Sequence, residues 1–97
     1  MEELKVGQLV RSLAGRDKGE HYLVLEVLNP REVLVVNGHN RALDCPKKKN
    51  TLHLQRYDRA ANLEPEISAQ TLTDSRIIRF LKELAPQEDV FTGGLPS

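Results

Sequence analysis

Ninety-seven residues, 39% of them apolar and 29% charged with a formal net charge of zero, describe one small domain, because so short a chain cannot enclose two hydrophobic cores. No apolar run approaches the ~18 to 20 residues of a membrane-spanning helix, and the single cysteine, Cys45, excludes both an internal disulfide framework and a multi-cysteine zinc site. Met1-Glu2-Glu3-Leu4-Lys5 has neither the basic flank nor the apolar stretch of a secretory signal, so a cytoplasmic location is expected.

Gln8 to Leu13 reads as a first short strand. It ends at Ala14-Gly15-Arg16-Asp17-Lys18-Gly19, where two glycines four residues apart favour a tight loop with exposed backbone. His21 to Leu28 is rich in bulky and β-branched residues, too short for a buried helix, and stops at Asn29-Pro30, which makes it a second strand. Glu32 to Val36 runs into Asn37-Gly38, a strong two-residue hairpin signal, and is expected to return as a strand from His39 to Asp44. Pro46 would end that strand at Cys45, leaving Lys47-Lys48-Lys49-Asn50 as a loop before a fifth strand, Thr51 to Gln55. Five short strands with no room for crossover helices predict a mainly β fold, a small antiparallel barrel.

The charge is divided unevenly along the chain. Residues 4–59 carry +5, residues 60–97 carry −3, and residues 1–3 supply the remaining −2. The change of sign falls at Asn62 to Ser68, which lacks a regular period and contains Pro65; a linker is expected over 60–70. Beyond it, Ile77, Phe80, Leu81 and Leu84 recur at helical spacing, with Thr71 or Thr73 as a cap and Pro86 as a stop, which predicts a C-terminal helix within 71–86. About three turns are marginal alone in water, so the helix is expected to dock on the domain of residues 4–59 and cover the two-sided apolar strand Val33 to Val36. Residues 87–97, with Gly93-Gly94 and Pro96, read as a mobile tail.

Leu4-Lys5-Val6-Gly7-Gln8-Leu9-Val10, followed by Gly15, Lys18-Gly19 and Tyr22-Leu23-Val24, resembles the KOW motif, which spans a strand, a glycine-centred loop and the next strand. Val35-Val36-Asn37-Gly38, Arg41 and the stretch Pro46 to Leu54 extend the likeness to bacterial KOW-domain RNA-binding proteins related to ribosomal protein L fourteen e. The resemblance covers about residues 4–56. It implies an SH3-like barrel that binds RNA, often in the ribosome or the transcription machinery, without catalysis or cofactor. The neutral chain departs from the strongly basic ribosomal members in charge.

Between residues 41 and 59 six cations, Arg41, Lys47, Lys48, Lys49, Arg56 and Arg59, stand against Asp44 and Asp58, with His53 among them. Such a patch suits phosphate contacts, since each neutralised phosphate releases condensed counterions; three adjacent lysines also serve simply as a soluble edge. Gly15, Arg16 and Lys18 offer cations and approachable backbone for a phosphate, or form an ordinary exposed turn. Arg11, on the outer face of the first strand if Val10 points inward, could join them.

Stacking platforms are scarce: Tyr22 and Tyr57 are the only phenols, His39 and His53 are the other flat rings near the basic stretch, and Tyr22 reads as core. Backbone recognition of folded RNA follows. Cys45 with His39 or His53 lacks an orienting third group, so no enzyme is expected, and Cys45 reads as a small buried residue. No fourth ligand completes a zinc site, and no Walker-type loop occurs.

The sequence thus points to a non-enzymatic module contacting phosphates of structured, ribosomal RNA, associated with the ribosome or its assembly. The alternative is an adaptor that binds a ribosomal, translation or transcription protein through the barrel edge and the C-terminal helix.

Overall fold

The computed structural model describes residues 3–86. In chain order the elements are β1 (Gln8–Ser12), β2 (His21–Asn29), β3 (Glu32–Val36), β4 (Lys47–Asn50), a 3-10 turn (Thr51–His53), β5 (Leu54–Ala60), α1 (Glu64–Ser68) and α2 (Asp74–Leu84). The fold is mainly β. All strand pairs are antiparallel and form one sheet in the order β4-β3-β2-β1-β5. The sheet is open, with β4 and β5 as its edges. The 3-10 turn sends β5 away from β4 and across to β1, where Val10 lies opposite Arg56 and Ser12 opposite Leu54.

Strand alternation divides the apolar residues between the two faces of the sheet. Val10, Tyr22, Val24, Val33, Val35 and Leu54 form one cluster. Leu9, Leu23 and Val36 join Ala61, Leu63 and Ile77 in the other, with Phe80, Leu81 and Leu84 of α2 packed against it. Val33 and Val35 fill one cluster and Val36 the other, with Leu34 half-buried. Ile77 is completely buried, a contribution of about 1.5 to 3 kcal/mol for a side chain of its size. The Thr73 hydroxyl caps α2 by accepting the Arg76 amide at 3.2 Å, and Ala85-Pro86 follows its end.

Gly7 makes the close approach that joins the sheet to the segment after β5. Its amide donates to the Val24 carbonyl and its carbonyl accepts from the Ala61 amide, each at 2.8 Å. A Cβ at this position would stand 1.9 Å from the Ala61 carbonyl oxygen, and φ is +89°, so only glycine fits.

Several expectations change. The strand expected over His39 to Asp44 is irregular loop, and the fourth strand is Lys47–Asn50 itself. The Asn37 side-chain oxygen accepts the amides of His39 and Arg41 at 2.9 and 3.1 Å, a local turn that competes with a two-residue hairpin. Pro46 therefore precedes a strand, and β5 starts three residues later than Thr51. The segment expected as a linker holds the fully buried Leu63 and the short helix α1, where Pro65 occupies the first turn that tolerates it. Cys45 is exposed in a turn in which its amide donates to the Ala42 carbonyl, so it is no core residue. The expected tail over 87–97 lies outside the described residues.

Candidate nucleic-acid interface

The loop between β1 and β2 folds around one carboxylate. Gly15 and Gly19 have φ of +88° and +94°, and the Gly19 amide donates to the Ser12 carbonyl at 2.8 Å, closing the loop over the end of β1. This geometry turns Asp17 inward, where its side chain is only 10% exposed. Tyr22 and Ser12 donate to it at 2.8 and 2.9 Å, while the Lys49 and Lys47 ammonium groups lie 3.2 and 3.3 Å from its oxygens.

Lys49 is itself buried at 8% exposure, and its three donors meet three acceptors: Ser12 Oγ, Asp17 Oδ1 and the Ala14 carbonyl, at 3.1, 3.2 and 3.4 Å. A buried charge is tolerated only when paired and hydrogen-bonded in this way. Burial alone would raise the Asp17 pKa; the hydrogen bonds from Tyr22, Ser12, Lys49 and Lys47 outweigh it and hold the carboxyl well below the usual carboxylate range. Burial, followed by the adjacent Asp17 carboxylate, pushes the Tyr22 phenol above its ordinary range.

Beside this network Arg16, Asp17, Glu20, Tyr22, Asn40, Arg41 and Lys47 line a cleft of about 240 Å³. Two loops build it. The glycine loop contributes Arg16, and the long connection between β3 and β4 contributes Asn40 and Arg41 through the Asn37 turn. That connection is fastened to α2, since Asp74 Oδ1 accepts the Leu43 amide at 2.8 Å and a Cβ on Gly38 would stand 2.7 Å from the Asp74 carbonyl oxygen. With Lys49 beneath, four cations face two anions, Asp17 and Glu20. The surplus of positive charge comes from residues distant in sequence.

The cationic residues proposed from sequence therefore scatter. Arg16, Arg41 and Lys47 meet at the cleft. Lys49 lies under it as a structural ion, and the strand alternation sends Lys48 elsewhere, 60% exposed and 3.7 Å from Glu32. The solvated lysine loop expected from three consecutive lysines is thus a β-strand with a buried middle register. Lys18 is exposed on the glycine loop, and Gly15 shapes that loop. Arg56 sits on β5 with Asp58 3.9 Å away, and Arg59 donates to the Leu84 carbonyl at 2.7 Å. His53 is exposed at the end of the 3-10 turn, its carbonyl accepting the Leu13 amide. Arg11 lies on the α2-bearing face of the sheet, its guanidinium 3.9 Å from where a Cβ of Gly19 would stand.

Sequence reasoning missed the roles of Ser12 and Asp17 and the contribution of Asn40. A signal existed for the first two: a phenol at a core strand position, Tyr22, needs a partner for its hydroxyl, and Asp17 is the carboxylate enclosed between the two loop glycines. Among the described residues no group of three or more His, Cys, Asp or Glu could hold a metal ion. No described helix is long and apolar enough to cross a membrane.

Fold and site together define a small, mainly antiparallel β protein with a cationic cleft built over a compensated buried carboxylate. No protein-family model matches the chain, and no curated protein matches it.

Proposed function

We propose that the protein is an RNA-binding module of the SH3-like KOW type, which holds the phosphates of structured RNA at the cleft between the glycine loop and the β3–β4 connection. The observation that carries this reading is the convergence of Arg16, Arg41 and Lys47 on one cleft whose buried carboxylate, Asp17, is already neutralised, so that these three cations face Glu20 as the other anion of the lining. An unpaired carboxylate would repel phosphate; Asp17 instead positions Lys47. Arginine suits the role because its planar fork matches phosphate oxygens in pairs. The strand order β4-β3-β2-β1-β5, with a 3-10 turn leading into β5, is compatible with an SH3-like barrel. The KOW resemblance of residues 4–56 supplies the further reading that the RNA is ribosomal and that the chain works at the ribosome or in its assembly, in the cytoplasm, as a binder and not an enzyme.

For the adaptor alternative, the apolar stripe of α2 packs against the sheet, so a partner would meet the sheet edge and the polar, acidic face of the C-terminal segment. Crosslinking the protein in cells and sequencing the attached RNA tests the proposal. Reads concentrated on structured ribosomal RNA are expected. Recovery of attached protein with no enriched RNA would contradict it and favour the adaptor.

A further inference from the structure

Among the described residues, the α2-bearing face of the sheet is not uniformly apolar. Leu9, Leu23 and Val36 lie fully buried there, but the end of the same face nearest the glycine loop carries Arg11, His21, Gln55 and Tyr57. Register places them together: Arg11 is directly opposite both His21 on β2 and Gln55 on β5, and such neighbours have Cβ atoms ~5 Å apart. Tyr57 lies two residues after Gln55 on the same side of β5. Its ring and that of His21 meet across β1 with centroids 5.5 Å apart and a tilt of 31°, and His21 Nε2 lies 3.2 Å from the Tyr57 hydroxyl. Arg11, His21 and Tyr57 are half-buried and Gln55 is exposed, so the group is reachable from solvent.

We infer that this strip is a second subsite, a stacking platform for one unpaired nucleobase of the bound RNA; the inference rests on the RNA-binding reading of the cleft. Two flat rings held in fixed relation present a sequence-tolerant π-surface, and an arginine at their edge adds a plane and a positive charge for the flanking phosphate. The amide of Gln55 offers both a donor and an acceptor to a base edge. Charge agrees with this occupant: Arg11 reaches beside Gly19, next to Lys18, so positive charge continues from the strip onto the glycine loop. The partner is therefore folded RNA with a base displaced from its helix, and not a uniform duplex.

The test uses two RNA hairpins of the same stem, one fully paired and one with a single bulged 2-aminopurine, titrated with the full chain. For wild type, the bulged base should lose fluorescence on binding and the bulged hairpin should bind more tightly. Tyr57→Leu should weaken binding of the bulged hairpin about 5- to 150-fold, the range for one stacked base, and leave the paired hairpin unchanged, while Tyr57→Phe retains both affinity and quenching. Tyr57 also packs against the core, so His21→Ala gives a second reading should Tyr57→Leu fail to fold. Equal affinity of wild type for the two hairpins, without quenching, would overturn the platform but leave the phosphate cleft standing. Failure to bind either hairpin would overturn the RNA reading and the platform with it.

Discussion

Replacing Asp17 by Asn keeps the shape of the side chain and removes the charge on which Lys49 and Lys47 depend. Lys49 is 8% exposed, and its ammonium is held by Asp17 together with Ser12 and the Ala14 carbonyl. Breaking a buried ion pair by removing one partner costs roughly 3 to 5 kcal/mol, since the remaining charge is left without compensation. Against a total stability of about 5 to 15 kcal/mol for a domain of this kind, that is a large fraction. A loss of about 3 kcal/mol lowers the melting temperature by roughly 12 to 24 °C, at 4 to 8 °C per kcal/mol in a chain of this size. Circular dichroism melts and urea titrations at neutral pH measure the change. Adding Lys49→Met to Asp17→Asn should restore part of the loss, because the orphaned charge is then gone, and the double-mutant cycle should show a coupling of about 1 to 3 kcal/mol. Asp17→Asn melting within a few degrees of wild type, or strict additivity in the cycle, would refute the claim that the carboxylate holds the loop and β4 together.

The same network sets the pH response. Asp17 has a depressed pKa, so its contribution is fully present above about pH 5 and drains away as pH falls through the ordinary carboxylate value of about 3.9 towards its lower folded value. Tyr22 has a raised pKa, so its contribution is complete below about pH 10 and is lost as pH rises beyond it; urea midpoints across pH should fall at both ends, and the acid limb should flatten in Asp17→Asn. Lys48→Ala should change stability by less than about 0.5 kcal/mol, as expected for an exposed pair, whereas Lys49→Ala should cost about 3 kcal/mol; equal melting temperatures for the two variants would contradict the placement of β4. Gly7→Ala should cost roughly 2 to 4 kcal/mol through backbone strain and displacement of Ala61, read by chemical denaturation, and a wild-type midpoint would show that the approach relaxes freely.

How much of this the sequence displays depends on whether a local signal and the tertiary demand agree. β3 and α2 are legible because they agree. Val33 to Val36 has no competing local structure, and Ile77, Phe80, Leu81 and Leu84 lie on one helical face between a threonine cap and a proline stop. The return strand is not legible, because the Asn37-Gly38 pair satisfies two readings and the side-chain turn of Asn37 prevails. Lys47 to Asn50 hides its strand character because composition favours a solvated loop; only a buried Asp17, brought over from a different loop, makes Lys49 acceptable inside. α1 hides behind Pro65, which breaks a helix interior but starts a helix well. Of the site, the type of side chain was legible and the grouping was not. A run of positive charge from 41 to 59 suggests one patch, yet strand alternation and ion pairing divide it, and the cleft takes one arginine from each of two loops.

The central claim is that Arg16 and Arg41 act as phosphate contacts at one cleft, and the salt dependence of RNA binding by wild type and by Arg16→Ala/Arg41→Ala tests it most directly. Each neutralised phosphate adds about −0.7 to −0.9 to the slope of log affinity against log salt. The double variant should keep the wild-type melting temperature, since both side chains project from loops, and the magnitude of its slope should be smaller by roughly 1.4 to 1.8. An unchanged slope and affinity in a folded double variant would contradict the assignment of the cleft.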